Sequence, residues 1–225
     1  MKKAFNILVL LMLPIASYCQ ADSLAVVVYT PDFAFDDGIY LNFEQVKGNK
    51  PIPKTRIILS ENLSSPLFFD KLLSGKKIFF FDDNGLRKEV LTDKIWGFSN
   101  KGVIYINIGG NFNKISIVGN LCHFIATIMV YNQQYYDPFG YGYGGVYNAT
   151  PTAYATQETN QFLLNFKTGE VSEYNYEKVL ASIASDTELA KEYADLSKRK
   201  KKDLKFLYIR KYNQRNPLLI PTHKK

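Results

Sequence analysis

The chain is poor in the side chains from which metal and nucleophilic centres are built. Its 225 residues contain two cysteines, two histidines and one tryptophan. A zinc site needs several convergent Cys, His, Asp or Glu ligands at short spacings. Cys19, Cys122, His123 and His223 do not supply such a set. Ser-His-Asp and Cys-His mechanisms need a base within reach of the nucleophile, and only His123 lies outside the basic tail. There is no Gly-x-Ser-x-Gly, no phosphate-binding loop and no dinucleotide fingerprint. No cofactor and no metal are therefore expected.

Long apolar runs are also scarce. Ala4 to Ala16, behind Lys2 and Lys3, is too short to span a bilayer and reads as the h-region of a signal peptide. Cleavage before Gln20 removes residues 1–19; the rival reading, lipidation of Cys19, places Tyr18 where a small residue is wanted. The run Leu121 to Tyr131 is broken by His123 and Thr127. Without the leader, Cys122 is the one cysteine left, and in that apolar run it reads as a buried small hydrophobe. An exported chain with no disulfide has to be held by its core, which suits a bacterial envelope, periplasmic or outer-membrane associated.

What the chain does have is short β-rich runs separated by turn signals. Lys77–Phe81 and Leu86–Leu91 flank Asp82-Asp83-Asn84-Gly85; Ile95–Phe98 and Val103–Ile108 flank Ser99-Asn100-Lys101-Gly102. Gly109-Gly110-Asn111 and Gly119-Asn120 then lead into Phe112–Val118 and Leu121–Tyr131. Turns every ~8–12 residues are the pattern of an antiparallel meander or small barrel. Ala25–Tyr29, Gly38–Phe43, Thr55–Ser60, Gln161–Phe166 and Val171–Tyr174 are further strand candidates, while Phe43–Gly48 and Ser65–Leu73 fit strand or helix. Asn175, and then Asp186 or Ser185, are capping residues for C-terminal helices. Leu189, Tyr193 and Leu196 share one apolar face, as do Leu204, Leu207, Tyr208 and Tyr212. The fold class expected is α+β, an antiparallel β meander or partly open barrel with two or three C-terminal helices. A β-rich domain spans 20–174, and a basic helical segment, 175–225, packs on it.

Three segments look alike to a known group: Asp37-Gly38-Ile39-Tyr40-Leu41-Asn42-Phe43-Glu44, the hairpin from Trp96 to Asn107, and Tyr208-Ile209-Arg210-Lys211-Tyr212-Asn213-Gln214-Arg215-Asn216-Pro217. Together they resemble an uncharacterised secreted protein family of Bacteroidetes. The resemblance implies export and an envelope setting; it implies no activity and no site residue.

Two surfaces stand out. Residues 132–158 interrupt the strand rhythm and are rich in Gly and Tyr, with seven of the sixteen tyrosines between Tyr131 and Tyr154. Tyr135, Tyr136, Phe139, Tyr141, Tyr143 and Tyr147 offer flat amphipathic rings suited to a protein or glycan; the blander alternative is a connection whose rings fold back on the sheet. The run Lys198, Arg199, Lys200, Lys201, Lys202 is the sharpest charge feature. It suits an anionic membrane surface or is simply a solvated helix face; export argues against nucleic acid. Asp36-Asp37 and Asp82-Asp83 are the visible paired carboxylates, both beside glycine turns where acids cap amides. The leading function is a non-catalytic envelope accessory or binding protein. The alternatives are a glycan- or peptide-cleaving hydrolase using dispersed carboxylates and a structural component of an envelope assembly.

Overall fold

A computed structural model describes residues 25–135 and 151–222, with side chains described at 25–130 and 155–222. Its centre is an eight-stranded antiparallel sheet that does not close into a barrel. Six strands follow one another as a meander: β6 (Gly97–Asn100), β7 (Val103–Ile108), β8 (Asn111–Ile117), β9 (Leu121–Tyr135), β10 (Pro151–Asn165) and β11 (Val171–Glu173). Beside β6 lie β2 (Gly38–Tyr40) and β3 (Ile52–Pro53). Two separate pairs complete the β structure: β1 (Ala25–Val28) with β12 (Leu219–Thr222), and β4 (Lys77–Phe81) with β5 (Arg87–Leu91). The connections follow local chemistry. Lys101 and Gly102, then Gly109 and Gly110, turn back the meander with positive φ at both central positions, the conformation a two-residue hairpin requires.

The sheet alternates cleanly. Ile104, Ile106, Ile115, Cys122, Phe124, Phe162 and Leu164 line one face, covered by Phe35, Val46, Leu218 and Ile220. The opposite face is divided between two covers. At the β2–β6 end, Ile39 and Phe98 meet Phe68, Phe69 and Leu72 of α2 (Phe68–Ser74) together with Ile78 and Phe80 of β4. At the β9–β10 end, Leu121 and Leu163 meet three helices: α3 (Tyr176–Ser182), α4 (Thr187–Ala194) and α5 (Lys198–Arg215). Asn175 and Asp186 cap α3 and α4 by accepting the N–H of Lys178 and Leu189, as their residue types predict. The remaining helix, α1 (Phe43–Lys47), starts at Asn42.

Several local expectations are corrected. Thr55–Ser60 is not a strand: Lys54–Arg56 is a 3-10 turn, and Ile57 makes one isolated bridge to Phe80. The ambiguous Ser65–Leu73 region yields α2. The Asp82–Leu86 connection is a wider loop in which Gly85 takes positive φ and the Asp82 carboxylate accepts the N–H of Asn84 and Leu86. Of the apolar face expected on α5, Tyr208 and Tyr212 are buried, joined by Ile209, whereas Leu207 is 44% exposed. The largest difference lies in 132–158, read in the sequence as a Gly/Tyr-rich loop that interrupts the strand rhythm. Residues 132–135 and 151–158 continue β9 and β10, paired from Tyr135↔Pro151 down to Leu121↔Asn165. No helix among the described residues is long and apolar enough to cross a membrane.

Candidate functional site

The longest paired element is covered over only part of its length. β9 and β10 are fifteen residues each, about 50 Å of extended chain, whereas β11 covers only Phe162–Leu164 of β10. From the point where helical cover ends, one face of this arm presents Ile125 (50% exposed), Thr127 and Met129 (46%), with Gln157, Thr159 and Gln161 beside them. The Thr127 and Thr159 hydroxyls lie 3.1 Å apart across the strands. The opposite face still reaches the core through Ala126 and, in part, Ile128. The arm is therefore anchored on one side and open on the other.

At its base, His123 is buried between the rings of Tyr174 and Phe206, at centroid distances of 4.8 and 5.1 Å. Its Nε2 meets Gln161 Oε1 at 2.9 Å, and its Nδ1 has no partner among the described residues. Burial lowers its pKa, and the nearby Lys205 ammonium lowers it further, while Gln161 opposes them. His123 is thus a wedge fixing the arm's root, with one ring nitrogen unsatisfied among the described residues. Its neighbour Cys122 faces the other side of the sheet, fully buried.

An edge strand offers unpaired N–H and C=O groups, and proteins commonly blunt such edges with lysine. The β10 edge beyond β11 has no strand partner among the described residues. No Lys or Arg occurs between Lys114 and Lys167, in a chain whose net charge is +7. That gap is the sequence signal that marks the arm. Of the aromatic residues proposed for binding, Tyr135 is the last described residue of β9, its side chain undescribed; Tyr136, Phe139, Tyr141, Tyr143 and Tyr147 lie outside the described residues.

The basic run occupies the first turns of α5. Lys198, Arg199, Lys200 and Lys202 are exposed and Lys201 is half-buried. Ser197 caps the helix through the Lys200 N–H, and the first turn carries no acid. Cations at a helix N-terminus oppose the macrodipole; against this stand only the Lys198 ammonium over the Tyr176 ring, 5.9 Å from its centroid, and the attraction of Lys198 and Lys202 for the exposed Glu177, so the cluster adds little to the stability of α5. Replacing all five residues by glutamine is expected to leave the melting temperature unchanged or raised. If the patch meets anionic membrane, the same variant loses co-sedimentation with anionic vesicles; a lowered melting temperature would instead make the cations structural.

The paired acids come together more than their separation in sequence suggests. Asp36, Asp37 and Asp83 line one cleft of about 460 Å³ with Asn49 and Arg56. Each is engaged: Asp36 with the Asn49 amide, Asp37 with Lys54 and the Gly102 N–H, and Asp83 with Arg56. These contacts tie the β2 entry to the β4–β5 hairpin, the structural work acids do in turns. Among the described residues no group of three His, Cys, Asp or Glu could hold a metal ion.

A Family of unknown function (DUF6563) matches the chain over residues 38–216, from the first residue of β2 to Asn216, the residue that follows α5. No curated protein and no solved structure matches it.

Proposed function

The chain belongs to the DUF6563 family of unknown function, and we propose that it is an exported, non-catalytic binding protein of the cell envelope whose β9–β10 arm engages a partner protein. Export is supported by Lys2, Lys3 and the apolar run Ala4 to Ala16. The binding reading is carried by one observation: a strand pair extends past its covering elements with Ile125 and Met129 exposed on one face and a lysine-free edge on β10. Such an edge accepts an extended segment by main-chain pairing, and side-chain pockets beside it set specificity.

The test places a photo-crosslinking residue at Gln157, on the open face opposite Met129, and exposes the protein to native envelope. A specific envelope protein is expected to crosslink from position 157 and not from position 88 on β5. In Ile125→Lys/Met129→Lys that crosslink should fall about tenfold or more, as expected when charges meet a desolvated apolar contact. The melting temperature should barely move, because both side chains are exposed. Equal crosslinking by the variant would overturn the arm as the site, and crosslinking only to a second copy would make the arm a homodimer interface instead.

A further inference from the structure

A second concavity lies on a different part of the molecule. The C-terminal half of α5 crosses the end of β8 and the segments after β1 and after α5 without closing on them. The gap has a volume of about 320 Å³, within the ~300–1,000 Å³ of small-molecule sites. Its walls are apolar: Tyr29, Ile117, Val118, Phe206, Ile209 and Leu218. No Asp or Glu lines it, and the one charged lining residue is Arg210.

Arg210 differs from its neighbours on α5. Lys211 is paired with Glu192, and Arg215 with Asp186 and Glu188. Arg210 has no ion-pair or hydrogen-bond partner among the described residues, and it is exposed at the mouth of the groove. Asn213, also on the wall, is already committed to the backbone of Leu121. An apolar slot with a single uncommitted guanidinium at its rim is complementary to one kind of molecule. The geometry points to a binding site for a single-tailed anionic amphiphile of the fatty-acid class, the tail lying against Ile117, Phe206 and Ile209 and the carboxylate on Arg210. This site is independent of the β9–β10 arm and stands whether or not the arm binds a partner.

Dodecanoate is the probe, with dodecanol as its neutral counterpart, and the methyl resonances of Ile117, Val118, Ile209 and Leu218 are the readout. Dodecanoate is expected to shift those four residues and to leave Ile78 and Ile95, in the other core, unmoved. Affinity should rise about fourfold per methylene from octanoate upward and then level off once the groove is full. Arg210→Gln should weaken dodecanoate about tenfold, the scale of one charge-assisted hydrogen bond, while leaving dodecanol unchanged. Pro31→Trp, at an exposed rim position, should block both ligands, with an unaltered melting curve showing that the fold survives. No shift at these methyls on adding dodecanoate would overturn the site. Equal weakening of acid and alcohol by Arg210→Gln would overturn the role of the carboxylate.

Discussion

Asn213→Ala is expected to lower the melting temperature by roughly 5–15 °C. Asn213 sits near the end of α5 and treats Leu121 as a strand would: its Oδ1 accepts the Leu121 N–H at 2.9 Å and its Nδ2 donates to the Leu121 carbonyl at 2.8 Å. Leu121 is the first residue of β9 and is 1% exposed. Truncation therefore leaves two buried backbone groups unpaired, each costing about 1–3 kcal/mol. The amide is seated directly over Gly119, where an added Cβ would lie 2.4 Å from Asn213 Nδ2. Gly119→Ala should thus displace the same amide and cost a similar amount, and Gly119→Ala/Asn213→Ala should cost clearly less than the sum. Asn213→Asp separates the two bonds. It keeps the acceptor, loses the donor and sets a carboxylate against the Leu121 carbonyl. That raises its folded pKa above the unfolded ~3.9, so relative to the parent the variant is most stable at acid pH and loses stability as pH rises through that value. Chemical denaturation of the parent and the four variants at two pH values tests this; an Asn213→Ala loss within ~0.5 kcal/mol of zero, the scale of an ordinary surface change, would remove the staple.

The same residues explain what the ending of the matched region is for. In Tyr212-Asn213-Gln214-Arg215-Asn216-Pro217, the Tyr212 hydroxyl lies 2.8 Å from Ser185 Oγ, Asn213 holds β9, Arg215 pairs with Asp186 and Glu188, and the Asn216 carbonyl accepts Asn120 Nδ2 at 2.8 Å. A segment conspicuous in the sequence is thus a docking clasp, and its role depends on partners some 90 residues away in the chain, such as Leu121. What could be read locally came from residues whose chemistry acts locally. Gly102 and Gly109-Gly110 announce hairpins because positive φ is cheap only there; Asn175 and Asp186 announce helix starts because their oxygens reach the next free N–H groups. The outer half of β10 was illegible for the opposite reason. Alternation reports burial, and in Ala155-Thr156-Gln157-Glu158-Thr159-Asn160 no side chain is fully buried, Thr156 and Asn160 being half-buried and the others exposed, so a strand held mainly by pairing left no apolar period. The groove beside Arg210 was equally hidden, because its walls come from four stretches of chain that only the fold brings together.

Alkaline pH is expected to unfold the protein cooperatively near pH 11. Burial pushes the Cys122 thiol up to about 12, against a smaller opposing effect from a backbone hydrogen bond at Gly119. Burial also raises Tyr40, with Asp36 and Asp37 adding to it, and raises Tyr193, with Tyr174, Glu177 and Tyr208 adding. Tyr174 and Tyr208 are each pushed up to about 12, again chiefly by burial. All five groups are neutral in the folded chain at pH values where the unfolded chain, with thiol and phenol values near ~8.5 and ~10, has already lost the protons. The folded state then binds more protons than the unfolded state, so stability is fully present below the unfolded values and falls as pH rises above them. Each buried group removes about 1.4 kcal/mol per pH unit beyond its unfolded value. Cys122, Tyr40 and Tyr193 are all 0% exposed; at pH 11 these three alone remove about 6 kcal/mol, comparable with the whole stability of an ordinary domain, about 5–15 kcal/mol. The urea midpoint should therefore begin to drop near pH 9, where only the thiol contributes, and steepen above pH 10 as the phenols join. Cys122→Ala should flatten the first segment and leave the second. Phenolate absorbance at 295 nm should rise in step with loss of far-ultraviolet ellipticity for the buried tyrosines. If all the tyrosines titrate near pH 10 while the ellipticity holds, the interior around Tyr40 and Tyr193 is open to water and the sheet is not sealed as described.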